Sequence, residues 1–168
     1  MNLGEYKSFL YFVKERITEL KDLDITINIG DKFSLGNSFG IFTILVNKKL
    51  DNKIDRMTYN YIENKINKNI YQFISNYTEV FAFLHEIGHI LTSDTQEYYN
   101  YSTDLKTIKT EKYNNEYEAY TAYRNIEAEQ LADNFAINFT NKYFYEIIKY
   151  FTGMDNKQVN DFIEILNY

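Results

Sequence analysis

The sequence predicts an α+β domain that is mostly helical, with a small sheet packed on the helix that carries its two histidines. Three observations carry this. Apolar residues recur at three- and four-residue spacing over several long stretches, the period of amphipathic helices. Two six-residue stretches have the alternating or continuous apolar pattern of strands. The 168 residues fit one domain, 1–168, with no repeat or linker to divide it.

The elements follow in chain order. Leu3, Tyr6, Leu10, Val13, Ile17 and Leu20 predict a first helix over 3–20. Asp24–Ile29 alternates with period two and is closed by Gly30-Asp31, a half-buried strand. Gly36 and Gly40 punctuate a turn, after which Ile41–Val46 reads as a second, more buried strand bracketed by Gly40 and Asn47. Tyr59, Ile62, Ile66, Ile70 and Phe73 mark a helix over 57–75. Thr78, with a hydroxyl to cap, and Glu79 in the first turn open a helix that runs to about Leu91 or Thr92. Residues 94–116 are polar and tyrosine-rich with weak periodicity, which predicts a long loop with possible short helices. Loops of that length beside a site are more often functional than accidental. A long helix is expected over 117–143, with Ala128, Leu131, Phe135 and Phe139 on one face, followed by short helices over 144–151 and 159–166. The chain has no proline, so its breaks must come from glycine, asparagine and capping chemistry.

Composition narrows the function. Cysteine is absent, which excludes disulfides and thiolate metal sites. No apolar run near the N-terminus resembles a signal peptide and none approaches a membrane span, so a cytoplasmic protein without membrane contact is expected. A net charge of −6 argues against direct nucleic-acid binding. Residues 1–92 balance eleven acids against eleven bases, whereas 93–133 hold nine acids and four bases. The negative excess therefore follows the histidines. The abundance of tyrosine and phenylalanine matches AT-rich codon usage and implies no special aromatic function.

The only two histidines stand in His85-Glu86-Ile87-Gly88-His89. Residues four apart share a helix face, so both imidazoles can reach one ion, and Glu86 sits where its carboxylate can take a proton from water. Zinc hydrolases usually hold the ion by three protein ligands and leave a fourth position open. With no third histidine and no cysteine, the third ligand must be a carboxylate. Glu129 is the best candidate, with Asp133 one turn on to accept from a ligand imidazole. Glu127, Glu118, Glu97 and Asp94 are further candidates for the third ligand. Gly88, Ala132 and Ala136 are small enough to let the two helices approach closely. Tyr98, Tyr99, Tyr101, Tyr120, Tyr123 and Arg124 are all conceivable donors to an oxyanion, and the sequence does not choose among them.

His85-Glu86-x-Gly88-His89, followed by Glu129-x-x-Ala132-Asp133-x-Phe135-Ala136, resembles the ImmA/IrrE family of gluzincin (HExxH) metallopeptidases. That resemblance implies a zincin-like fold, a zinc ion on His85, His89 and Glu129, and Glu86 as catalytic base. Asp133 stands where the family commonly has Asn. The implied activity is regulatory endoproteolysis of a protein partner, such as a helix-turn-helix repressor. The His89–Glu129 separation is longer than is usual in that family. A second reading is a zincin-fold regulatory, protein-binding module with little or no proteolysis. Strand 41–46 is the expected edge for a bound peptide.

Overall fold

The computed structural model describes residues 1–47 and 52–166. In chain order the elements are α1 (Leu3–Lys14), β1 (Asp24–Ile29), β2 (Ser34–Ser38), β3 (Ile41–Val46), α2 (Asn52–Ile62), α3 (Ile70–Phe73) and α4 (Tyr77–Leu91). There follow α5 (Gln96–Thr110), α6 (Glu116–Arg124), α7 (Glu127–Lys142), α8 (Phe144–Thr152) and α9 (Asn156–Leu166). The architecture is mixed α+β, mostly helical, with one three-stranded sheet against α4. Among the described residues no helix is long and apolar enough to cross a membrane.

α1 begins with a capping box, Asn2 and Glu5 each accepting from the other's backbone amide. It ends at Lys14 rather than at Leu20. The β-branched pair Ile17-Thr18 turns the chain out, with Ile17 extended, and a short 3-10 turn at Thr18–Leu20 follows. Leu20 is nevertheless buried, so the apolar spacing continues across the break.

The strand order is β1-β3-β2, with β1 parallel and β2 antiparallel to β3. This corrects two expectations. Gly36 lies within strand β2, not in a turn, and 41–46 is the central strand, so it is not an edge for a peptide. β2 has little apolar pattern because it is a polar edge strand held by its ladder to β3. The β2–β3 hairpin closes on Phe39 and Gly40, both at positive φ (52° and 81°), as a two-residue turn of right-handed strand twist requires. Phe42, Ile44 and Val46 point inward from β3.

The helix expected over 57–75 is two helices. The turn between them is stitched by Asn141 of α7, whose amide donates to the Lys65 carbonyl and accepts from the Asn67 amide. The expected loop 94–116 is largely helix α5, which caps on Thr95 and contains no buried residue. Its lack of a buried face explains why its periodicity is weak. The expected helix 117–143 is interrupted at Asn125-Ile126, between α6 and α7.

α4 is the axis of the core. Every residue from Tyr77 to Ile90 is buried except Ala82, the pattern of a helix enclosed on all sides. Its N-cap is Asn76, and the Thr78 hydroxyl donates to Asp55 instead of capping. Tyr6 and Phe9 of α1 pack on Phe83, and Phe9 and Phe12 on Tyr150 of α8.

α4 and α7 meet at Gly88. A Cβ placed there would lie 2.7 Å from both the Cα and the carbonyl oxygen of Ala132. Because those are backbone atoms, the helices themselves would have to separate. Gly88→Ala should therefore destabilise the protein by about 1–3 kcal/mol, as overpacking does, outweighing the gain of about 1 kcal/mol in helix propensity. Denaturant titration of both proteins tests this, and an equally or more stable variant would contradict it.

Candidate metal centre

The α4–α7 contact brings His85, Glu86 and His89 against Glu129 and Asp133, all buried. His85 Nε2 lies 3.1 Å from Glu129 Oε2, and His89 Nε2 lies 3.3 Å from Glu129 Oε1. Two ligands about 2.0–2.1 Å from a tetrahedral ion sit about 3.3 Å from each other, so these separations are those of one shared ion. The ligand atoms of all three residues fall within 4.8 Å of one another. Glu129 is fully buried, yet among the described residues its Oε1 has no hydrogen-bond partner. His89 Nε2 faces it without the alignment of a hydrogen bond. A buried carboxylate oxygen left this way costs about 1–3 kcal/mol, which a cation between the two groups would offset. The residues therefore fit a metal ion. The other candidate acids are not part of this converging group: Asp94 and Glu127 are exposed, Glu97 is half-buried on α5, and Glu118 accepts from Asn114 and Asn115 at the start of α6.

His85 Nδ1 is 2.8 Å from Asp133 Oδ1, which fixes the ring with Nε2 toward the site. Burial and the Arg124 charge pull the His85 pKa down, but hydrogen bonds to Asp133 and Glu129 outweigh them and hold it at about 9. Burial alone would raise Glu129, but the two imidazoles beside it hold its carboxyl well below the usual range. A ligand imidazole must be neutral at the coordinating nitrogen, so metal uptake at His85 Nε2 would be coupled to proton release. Burial raises Glu86 above its ordinary value, partly countered by the two histidines.

Arg124 completes the site from behind. In an unbroken helix, residues nine apart would be about 13.5 Å apart along the axis. The break at Asn125-Ile126 instead brings Arg124 Nη1 to 3.0 Å from Asp133 Oδ1 and 3.4 Å from Glu129 Oε2. Arg124 Nη1 also lies 3.3 Å from His85 Nδ1, but both atoms are donors, and Asp133 Oδ1 takes the hydrogen of each. Its Nε donates to the Tyr120 hydroxyl, which is 3.1 Å from Thr58 Oγ1. Arg124 is only 6% exposed, with its Nε on Tyr120 and its Nη1 on Asp133 and Glu129, so it serves as a structural cation of the site.

A cavity of about 300 Å³ opens onto Glu86, His89 and Glu129. Ser34 and Leu35 of β2 form one wall, and Tyr98 and Tyr101 of α5 with Tyr123 of α6 form another. Of the six conceivable donors, Tyr98, Tyr101 and Tyr123 line this cavity, whereas Tyr99 is exposed and Tyr120 and Arg124 are hydrogen-bonded to each other. The Tyr101 and Tyr123 hydroxyls are 3.4 Å apart. Burial and the Glu129 charge push Tyr101 up to about 12 and Tyr123 higher still, so both remain protonated donors at neutral pH. α5, a 15-residue helix where the sequence suggests a loop with at most short helices, is therefore what brings two of the three tyrosines to the cavity.

Compared with protein-family models, with curated proteins and with solved structures, the chain matches none.

Proposed function

We propose that the chain is a zinc-dependent endopeptidase of the gluzincin type, with a zincin-like fold and a likeness to the ImmA/IrrE family. The observation that carries this is the buried convergence of His85, His89 and Glu129 with Glu86 beside them, at the spacing of one shared ion. A donor set of two imidazoles and one carboxylate, without sulfur, suits zinc. Zinc on these ligands supplies the Lewis acidity that acidifies a water and polarises the scissile carbonyl.

The rest of the chemistry belongs to the chain. Glu86 takes the proton from the attacking water and returns it to the leaving amine. Tyr123, with Tyr101 beside it, donates to the carbonyl oxygen as negative charge develops there. Asp133 and Arg124 keep His85 in the tautomer that offers Nε2.

An extended peptide adds to the outer edge of β2, which has no strand partner among the described residues and whose Ser34 and Leu35 line the cavity. β2 takes the part the sequence reading gave to 41–46. The substrate class follows the family likeness: a regulatory protein, such as a helix-turn-helix repressor, met in the cytoplasm. The deciding experiment is Glu86→Gln. Loss of cleavage with metal content retained supports the peptidase. Retained biological function without cleavage would favour a binding module.

A further inference from the structure

The sheet has two outer edges. β2 borders the metal cavity, and β1 forms the opposite edge. Among the described residues no strand pairs with the outer side of β1. The Gly30 amide donates to the Val46 carbonyl at 3.0 Å, which fixes the alternation along this parallel ladder. Asn28 and Thr26 turn their main-chain groups toward β3, so Ile25 and Ile27 turn theirs outward, where a further strand can pair with them.

A groove of about 470 Å³ runs beside that edge, between α1 and β1. Leu10, Ile25 and Ile27 form its apolar floor, and Lys7, Tyr11 and Lys14 its rim. The rest of its lining, Thr26 and Asn28, is uncharged. Tyr11 is 67% exposed, whereas the other aromatic residues of α1 are buried. Lys14 Nζ donates to the Leu23 carbonyl, and among the described residues neither lysine meets a carboxylate. The acids of α1 are engaged elsewhere, Glu5 with the Asn2 amide and Glu15 with Arg16. The groove is therefore apolar below and positive along one side.

We propose that the β1 edge is a docking site for an extended acidic segment of a partner protein, added as a further strand with an apolar side chain in the groove. Lys7 and Lys14 are two turns apart, about 10.5 Å along the helix. Strand residues four apart share a face and lie about 13 Å apart, a difference that flexible lysines span. The segment thus reads acid-x-apolar-x-acid, its central residue on Leu10, Ile25 and Ile27 and its acids at Lys7 and Lys14. A second copy of this chain fits poorly. Two β1 edges paired antiparallel would set Lys7 of each copy beside Lys14 of the other, with no acid between them. The site is distinct from the β2 edge and does not depend on proteolysis.

The probe is the blocked peptide acetyl-Thr-Glu-Thr-Val-Thr-Glu-Thr-amide, titrated into Glu86→Gln so that no cleavage intervenes, with binding followed by NMR. It should shift the amides of Ile25, Ile27 and Tyr11, and bind more weakly as salt is raised. Lys7→Glu, an exposed change, should weaken it about three- to ten-fold and favour by a similar factor the peptide with Lys in place of both Glu. Only alternate peptide amides face β1. Of two peptides N-methylated at the valine or at the threonine after it, one should therefore lose at least about ten-fold in affinity and the other little. No shift at β1 up to millimolar peptide, or shifts confined to β2 and the metal cavity, overturns the site. Equal binding of the Glu and Lys peptides overturns the assignment to an acidic segment. Shifts of the same amides that follow protein concentration without peptide give the edge to a second copy and overturn the proposal.

Discussion

Glu86→Gln is expected to lower peptide cleavage by about 10²–10⁴-fold while the variant keeps the metal content of wild type. The range is that of a positioned general acid–base group. Gln has nearly the shape of Glu and still accepts a hydrogen bond, but it cannot take a proton from water. Glu86 is not among the three residues whose ligand atoms converge, so its replacement leaves them in place. Gln keeps nearly the volume of Glu at this mid-helix position, and a denaturant titration of the same preparation separates lost chemistry from lost fold. The measurement is cleavage rate beside metal analysis of the same preparation. Activity within a few-fold of wild type would remove Glu86 from the mechanism.

Arg124→Met is expected to destabilise the chelator-treated protein by about 3–5 kcal/mol, the cost of breaking a buried ion pair by removing one partner. Asp133 and Glu129 are essentially without solvent access, and Arg124 is the cation that meets both. Its loss leaves two buried carboxylates without the guanidinium that meets them both. Arg124→Lys should rescue little, because one ammonium cannot meet Asp133 through Nη1 and Tyr120 through Nε as the planar guanidinium does. Added zinc should restore part of the loss, since an ion that binds only the folded state stabilises it. Denaturant titrations with and without zinc measure each term. A cost under about 1 kcal/mol would mean that the Arg124 charge is not needed to hold the acids together.

Much of the fold was legible where one face of an element is buried and the other is not. β1 and β3 declared themselves by alternation and by an apolar run, and α4 by an acid in its first turn and then a run of apolar residues. Gly88 and Ala132 were readable as a close approach because small residues on two helices have few other uses. The candidate ligands were readable by elimination, since a chain with two histidines and no cysteine leaves a carboxylate as the third. What stayed hidden lacked a periodic signal. β2 is Ser34-Leu35-Gly36-Asn37-Ser38, a strand only because β3 supplies its ladder. α5 buries no residue fully, so its helix leaves no stripe. The break at Asn125-Ile126 carries no proline or glycine, and the apolar spacing passes across it unmarked. That break is what turns Arg124 toward Asp133 and makes it a buried cation of the site.

The central claim is that a carboxylate from α7 closes a metal site begun by two histidines on α4. Metal analysis of purified wild type, His89→Ala and Glu129→Ala tests it most directly. The account predicts about one zinc per chain in wild type and a large loss of occupancy in both variants, with Glu129→Ala still folded. Full zinc occupancy in Glu129→Ala, or wild type that takes up no zinc when it is supplied, would contradict it.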